Sequence, residues 1–244
     1  MKDRQEGRVP RLYVDAELRA QDRLVLPEDA AHHAARVLRL REGDLALLFD
    51  GRGGEYEARL SMPGRGQVLA EIGSRRDVER ESPLAVTLVQ AVSSGEKMDF
   101  TIQKAVELGV AAIQPVLTSK SVVRLSAERE VKKLAHWKRV AIAACEQCGR
   151  NRIPEIREPV ALERYRPSAG SKILLSPAGP GKLADFAMGP VTLAAGPEAG
   201  FSHSEEQLLL RAGFQPVRLG PRILRTETAA LAALAALNAL AGDF

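Results

Sequence analysis

Two glycine-marked turns near the C-terminus gather side chains able to hold a charged small molecule. They are Gly196-Pro197-Glu198-Ala199-Gly200 and Leu219-Gly220-Pro221-Arg222-Ile223-Leu224-Arg225-Thr226-Glu227-Thr228. Each follows a short apolar run (Val191 to Ala195; Val217 and Leu219) and each opens a helical pattern, so strand, turn and helix follow one another twice. Loops that leave the carboxyl ends of strands and feed helix N-termini are where open α/β sheets bind small ligands, and helix N-termini favour negative groups. Glycine lets the backbone approach such a ligand closely. Glu198, Arg222, Arg225 and Glu227 are charges that a purely structural turn does not need. Gly-Pro turns also punctuate strands for steric reasons alone. Two of them, which together carry two arginines and two glutamates, point to a ligand site. Spacing alone does not name the ligand.

The elements that must position these turns follow from periodicity. The first seventy residues read as short strands at Arg11–Val14, Leu24–Leu26, Leu45–Phe49, Glu55–Leu60 and Val68–Ile72, with one helix over Pro27–Leu40. Asp50-Gly51 and Gly53-Gly54 lie between two strand runs, a hairpin signal. Short strands plus one helix suggest a small β-barrel over residues 1–73. The charged, polar stretch 74–83 reads as a linker. From 84 to 244 the period changes. Apolar runs at Leu84–Ala91 and Ala111–Leu117 flank a helix that Asp99 can cap and Gly109 ends, a βαβ unit that implies a parallel sheet. Further strands are expected at Ile173–Leu175, Val191–Ala195 and Gln215–Leu219, with a helix from about Ala127 capped by Ser126. Ser202-His203-Ser204-Glu205 matches a capping box for a helix closed by Gly213, and Thr226 or Thr228 is expected to cap the last helix.

Composition narrows the function. The 244 residues carry a net charge of +4, too little to decide for nucleic acid. Its distribution says more. Ser119–Arg152 holds nine basic residues against three acids, a local +6 that suits a phosphate footprint; a solvated helix face accounts for it equally. Cys145 and Cys148 fall late in a helical pattern rather than at a helix start, which favours buried helix cysteines over a redox pair. A zinc site would need about two further ligands, and no second Cys pair or paired His motif is present, so no metal is expected. No apolar leader precedes the charged N-terminus. The 13-residue apolar run Ala229–Ala241 covers only about 20 Å as a helix, short of a bilayer. It reads as a buried or interface helix, and the protein as cytoplasmic. Rossmann glycine fingerprints, P-loops, nucleophile elbows and His-Glu-x-x-His are missing from the sequence.

Several segments together resemble the bacterial small-subunit (16S) ribosomal RNA (uracil-N3)-methyltransferases of the SPOUT superfamily. They are Arg8-Val9-Pro10-Arg11, Val37-Leu38-Arg39-Leu40 with Glu42-Gly43-Asp44, Ser94-Gly95-Glu96-Lys97-Met98 through Glu107-Leu108-Gly109, Ala144 through Arg152, and the two turns above. One position departs: at the first of these turns the family usually reads Gly-Pro-Glu-Gly-Gly, and Ala199 stands in this chain where that pattern has a glycine. If the position needs a positive φ, alanine costs about 1 kcal/mol or more.

The resemblance implies a PUA-like RNA-binding barrel followed by an α/β domain with a parallel sheet and a deep trefoil knot. It implies S-adenosylmethionine in the knot and a homodimer as the working form. Cofactor contacts would come from Leu175, Ser176, Ala195, Gly196, Pro197, Glu198 and Gly200, and from Leu219, Gly220, Arg222, Ile223, Leu224 and Thr228. Arg222 would stabilise charge on the uracil oxygens as N3 loses its proton. Glu198 would accept that proton or bind cofactor. Ribosomal RNA would be held by Arg8, Arg11, Gln147, Arg150, Arg152 and Arg225, with helix-face solvation an alternative for Gln147. A paired uridine hides N3, so the target must be unpaired or flipped out. A non-enzymatic RNA-binding or assembly protein, and a methyltransferase acting on a ribose or another base, are the competing readings.

Overall fold

The computed structural model describes residues 9–64, 66–120, 127–186 and 189–244. The chain forms two compact units. The first holds the residues up to Glu81 together with Cys145–Ile153, and the second holds Ser82–Ala144 and Pro154–Phe244.

The first unit is built on five strands: β1 (Arg11–Tyr13), β2 (Arg23–Val25), β3 (Leu45–Phe49), β4 (Glu55–Gly64) and β5 (Gln67–Arg76). They pair in the order β1-β3-β4-β5-β2. Only β1–β3 is parallel. Alternation along β4 buries Tyr56, Ala58 and Leu60 and leaves Glu57 and Arg59 exposed, the pattern of a sheet with one face on a core. The expected helix is shorter than its sequence pattern. Helix α1 (Glu28–His32) passes into a π-helical turn, His33–Val37. Ala30, Ala31 and Ala34 still pack on the same core as Leu12, Leu48, Leu60 and Ala70. Strand β5 runs three residues past Gly73, and the Cys145–Ile153 segment belongs to this unit although it lies far along the chain.

A buried ion cluster binds that segment in. Arg11 pairs with Glu55, and the side chains are 2% and 1% exposed. The same guanidinium donates to the Arg150 carbonyl at 3.1 Å and to Asn151 Oδ1. Arg80 Nη1 donates to the Gly149 carbonyl at 2.8 Å. Burial alone pushes the Glu55 carboxyl up, but Arg11, with help from Asn151 and Arg80, overcomes it and holds the carboxyl below its ordinary range.

The second unit has seven strands, all paired in parallel: β6 (Val86–Ala91), β7 (Ala112–Leu117), β8 (Glu155–Ile156), β9 (Val160–Ala161), β10 (Ser171–Leu175), β11 (Val191–Ala195) and β12 (Gln215–Val217). The order is β12-β10-β11-β6-β7-β8, with β9 also on β7. Strand β11 is buried at every position, as a strand covered on both faces must be. Among the described residues, four α-helices accompany the sheet: α2 (Gly95–Glu107), α3 (Ala127–Cys148, whose residues from Cys145 on belong to the first unit), α4 (His203–Arg211) and α5 (Thr226–Ala241). On α2 the buried residues Met98, Thr101, Ile102, Ala105 and Val106 step by three, one, three and one, the stripe of an amphipathic helix. On α5, Ala230, Ala233, Leu234 and Leu237 form the equivalent stripe.

The helix starts partly depart from expectation. The capping box on α4 is present, with Ser202 and Glu205 bonding each other's backbone N–H. Helix α2 begins at Gly95 after Ser94, so Asp99 lies within it and bonds His136 Nε2 at 2.8 Å instead of capping. Helix α5 has Arg225 at its N-cap position without a side-chain cap; neither Thr226 nor Thr228 serves, because the Thr226 hydroxyl donates elsewhere, to the Gly196 carbonyl. The expected Ser126 cap of α3 lies outside the described residues.

The ion cluster generates a prediction for the first unit. Removing one partner of a buried pair strands the other charge and costs about 3–5 kcal/mol, so Arg11→Ala is expected to lose protection by about that amount in hydrogen exchange at β3–β5 amides. The Glu55 carboxyl is depressed in the folded state. Its contribution is therefore full at neutral pH and is lost as pH falls from the ordinary glutamate range down through the depressed value. That acid-sensitive part of the protection is expected in full in the wild type and reduced in Arg11→Ala, where Asn151 and Arg80 still hold the carboxyl.

Candidate functional site

Parallel strands bring the loops at their carboxyl ends to one edge of the sheet. Strands β12, β10 and β11 are neighbours, so the loops that follow them meet. A cavity of about 350 Å³ lies among these loops, with Lys97 of α2 and Glu206 of α4 also in its wall.

Close backbone approach explains the glycines that frame it. A Cβ on Gly179 would come within 2.6 Å of the Val217 N and 2.7 Å of the Pro216 carbonyl carbon. The loop after β10 therefore runs against β12 only because it carries no side chain there. Its bonds agree: Ser176 N–H donates to the Val217 carbonyl at 3.0 Å, and Gly181 N–H to the Pro216 carbonyl at 3.2 Å. A Cβ on Gly196 would sit 3.2 Å from both the Phe201 N and its ring. Ala199 has no positive φ; Gly200, at φ +68°, takes the left-handed position of the turn. The cost considered for alanine at 199 therefore does not arise.

A buried polar relay fixes the second loop against the third. Gln90 Nε2 donates to the Ala91 carbonyl and to Thr226 Oγ1, both at 3.1 Å. Thr226 Oγ1 in turn donates to the Gly196 carbonyl. Gln90 is fully buried and Thr226 is 8% exposed. The α5 N-terminus is thereby tied to the end of β11. Lys120 Nζ reaches the Ala199 and Phe201 carbonyls at 3.3 Å, and the Ser119 N–H donates to Glu205 Oε1 at 2.7 Å.

Charge in the wall is mixed. Lys97 Nζ pairs with Glu198 Oε1 at 2.9 Å. Burial raises the Glu198 carboxyl, but Lys97 and the backbone N–H groups of Glu198 and Ser94 outweigh it and bring the carboxyl below its ordinary range. Arg218, Arg222 and Arg225 line the cavity and are exposed, and Glu227 completes the set. One oxygen of Glu227, Oε2, is buried with no hydrogen-bond donor among the described residues.

Most of the residues singled out from the sequence come together here. Leu175 and Ser176 from the first loop, Ala195 to Glu198 and Gly200 from the second, and Leu219 with Arg222 to Arg225 from the third all line the cavity. Gly220 and Thr228 do not line it. Lys97, Glu206, Arg218 and Thr226 also line it, without having been assigned to the site from the sequence. Thr226 looked like a cap, and Lys97 stands far from the turns in sequence, although both lie within segments that carry the family resemblance.

The expected RNA contacts divide. Arg11 and Arg150 are corrected: they are 5% and 4% exposed. Arg11 is spent on Glu55, and Arg150 on Glu81, with Nε to Oε2 at 3.1 Å. Burial in ion pairs leaves neither guanidinium for a phosphate. Arg152 stays 55% exposed beside Glu79, and Gln147 is exposed. Arg8 lies outside the described residues. Arg129, Lys132, Lys138 and Arg139 form an exposed basic set on α3. Cys145 is fully buried, and burial pushes its thiol up to about 12, which makes it an inert helix residue.

Comparison with known proteins agrees in both sequence and structure. Residues 80–238 match the family described as RNA methyltransferase domain, and residues 26–73 match the RNA methyltransferase PUA domain. The ribosomal RNA small subunit methyltransferase E of Buchnera aphidicola subsp. Acyrthosiphon pisum is 32% identical over 242 residues, covering 97% of this chain and 96% of its own. Among solved structures, the ribosomal RNA small subunit methyltransferase E of Neisseria gonorrhoeae, bound to S-adenosyl methionine, has a TM-score of 0.92 at 43% identity, covering 97% of this chain and all of its own. A Legionella pneumophila protein in complex with bound SAM has a TM-score of 0.94 at 42% identity, covering 98% and 100%. The chain belongs to the RNA methyltransferase family, with a PUA domain ahead of the methyltransferase domain.

Proposed function

We propose that the protein methylates N3 of a uridine in small-subunit (16S) ribosomal RNA, with S-adenosylmethionine as methyl donor. The cavity at the carboxyl ends of β10, β11 and β12 carries this reading. Its volume of about 350 Å³ falls within the range of about 300–1,000 Å³ typical of small-molecule sites. The residues present fit the cofactor. Gly196 lets the backbone close in where a Cβ would strike Phe201, and Leu175, Ala195, Leu219 and Ile223 give the wall apolar surface beside its charges.

The loops Leu175–Pro177, Ala195–Gly200 and Val217–Leu224 would hold the cofactor. Bound there, it supplies a methyl group on a positively charged sulfur. The chain's own work is orientation, exclusion of water and charge placement. Holding the reacting groups in line supplies up to about 7–11 kcal/mol of the barrier. Arg222 stands at the cavity, exposed, and offers a rigid donor fork for charge that builds on the uracil oxygens. Specificity for N3 rests on the family resemblance. Phosphate contacts fall to Arg152 and the exposed cations of α3 rather than to Arg11 and Arg150. The working form is a homodimer; Ile223, 84% exposed, and Leu240, 51% exposed, are apolar side chains for the second copy to cover.

Incubation with labelled cofactor and 16S RNA or small subunits, followed by nucleoside analysis, is expected to give N3-methyluridine; label in a ribose or in another base overturns the assignment. Arg222→Ala is expected to lower turnover by about 10²–10³-fold while RNA affinity changes little, and Arg222→Lys is expected to recover only part, since an ammonium lacks the fork. Turnover within a few-fold of wild type rules Arg222 out. Sedimentation velocity is expected to give a dimer at micromolar concentration, and a monomer there overturns that part.

A further inference from the structure

We propose that Glu227, rather than the Lys97-bound Glu198, is the catalytic base that takes the proton from uracil N3. The inference rests on the methyl-transfer reading above and assigns a step within the same site.

Methylation of N3 requires that its proton leave. Among the described residues, three carboxylates line the cavity: Glu198, Glu206 and Glu227. Glu198 is already engaged. Lys97 Nζ lies 2.9 Å from its Oε1, and the Ser94 backbone N–H is a further donor that helps hold the carboxyl below its ordinary range. A carboxylate depressed by such donors is a weaker proton acceptor. Glu206, on α4, is half-buried and has no buried oxygen lacking a donor.

Glu227 differs from both. Its Oε2 is buried and meets no donor among the described residues. An acceptor in that condition lies at higher free energy than a bonded one, and a donor brought to it restores what burial removed. Glu227 lines the cavity, and the imide N–H of a uracil seated there is a donor that its carboxylate takes once the side chain turns toward it. The backbone beneath Glu227 is fixed. Thr226, its neighbour, is locked between Gln90 Nε2 and the Gly196 carbonyl, so the start of α5 is tied to the end of β11.

The step balances. The N3–methyl bond forms as the methyl–sulfur bond breaks, and the electron pair of that bond stays on sulfur as the neutral thioether of S-adenosylhomocysteine. The N3–H bond gives its electron pair to the ring nitrogen and its proton to the Glu227 carboxylate. The resulting carboxylic acid returns the proton to water after product leaves.

The test uses full-length protein carrying Glu227→Gln, which keeps the shape and removes the base. S-adenosylhomocysteine affinity by calorimetry and RNA affinity are expected to stay within about twofold of wild type. At neutral pH, kcat/KM is expected to fall by about 10²–10⁴-fold. Its logarithm should then climb with a slope near one as pH rises, because only uridine already ionised at N3 still reacts, while the wild type stays flatter over the same range. If Glu227→Gln does not fold, Glu227→Asp carries the test: it keeps a carboxylate and is expected to show the flatter profile at a reduced rate. A Glu227→Gln rate within about fivefold of wild type overturns the proposal. So does a tenfold loss of S-adenosylhomocysteine affinity, which makes Glu227 a cofactor ligand, and so does a steep profile in Glu227→Asp. The wild-type product is analysed alongside. If it lacks N3-methyluridine, the function reading itself fails and the base assignment falls with it; if N3-methyluridine is present, a failure in the variants is a failure of the base assignment alone.

Discussion

One hydroxyl group sets the shape of the site. Thr226 Oγ1 accepts from Gln90 Nε2 and donates to the Gly196 carbonyl, so a single buried atom ties the end of β6, the end of β11 and the start of α5 together. Each partner is a group that burial would otherwise penalise: an amide in the middle of an apolar sheet and a carbonyl at the end of a fully buried strand. Leaving one such group unsatisfied costs about 1–3 kcal/mol, so the relay resists any displacement of α5 that breaks it. Arg222, Arg225 and Glu227 flank Thr226 closely in sequence, and their backbones inherit its position. The chemistry that the third loop can do is therefore fixed from inside the sheet.

The two units use arginine in opposite ways. In the first, Arg11 and Arg150 are buried and consumed by Glu55 and Glu81, and the bonds from Arg11 to the Arg150 carbonyl and to Asn151 bring in a chain segment that lies far away in sequence. Such charges hold the segment in place, and they add nothing to a surface potential because each is neutralised where it stands. In the second, Arg218, Arg222 and Arg225 are exposed at the cavity, where charge is available to a ligand. A net charge of +4 averages over both kinds. The nine basic residues counted between 119 and 152 do so as well, since they include Arg150.

What the sequence made legible was local, and what it hid was distant. Strand β11 was read to the residue from a continuous apolar run, and the α4 capping box from four residues, because each depends on neighbours in the chain. The two glycine turns announced the second and third walls of the cavity for the same reason. Arg11 was misread as an RNA contact because its partner Glu55 lies 44 residues away and Asn151 lies 140 away. No periodicity reports such a pairing. Lys97 was missed by the same logic: it belongs to the first turn of α2 and meets Glu198 only across 101 residues of chain. Thr226 was seen but given the commoner role, since Ser and Thr near a helix start usually cap it; the competing acceptor, the Gly196 carbonyl, lies 30 residues earlier.

The alanine at 199 shows how a motif separates into physical demands. The family pattern has a glycine there, but a pattern does not say which of its glycines is needed for space and which for handedness. In this backbone the need for space falls on Gly196, where a Cβ would press on Phe201 at 3.2 Å. The need for handedness falls on Gly200, at φ +68°, a conformation that L-residues with a Cβ adopt only at a cost. Residue 199 lies between them with neither demand, and what the structure uses there is its carbonyl, which takes Lys120 Nζ at 3.3 Å. A carbonyl is indifferent to the side chain on its own residue. The turn can therefore carry a methyl group at 199 and still present the same backbone to the cavity.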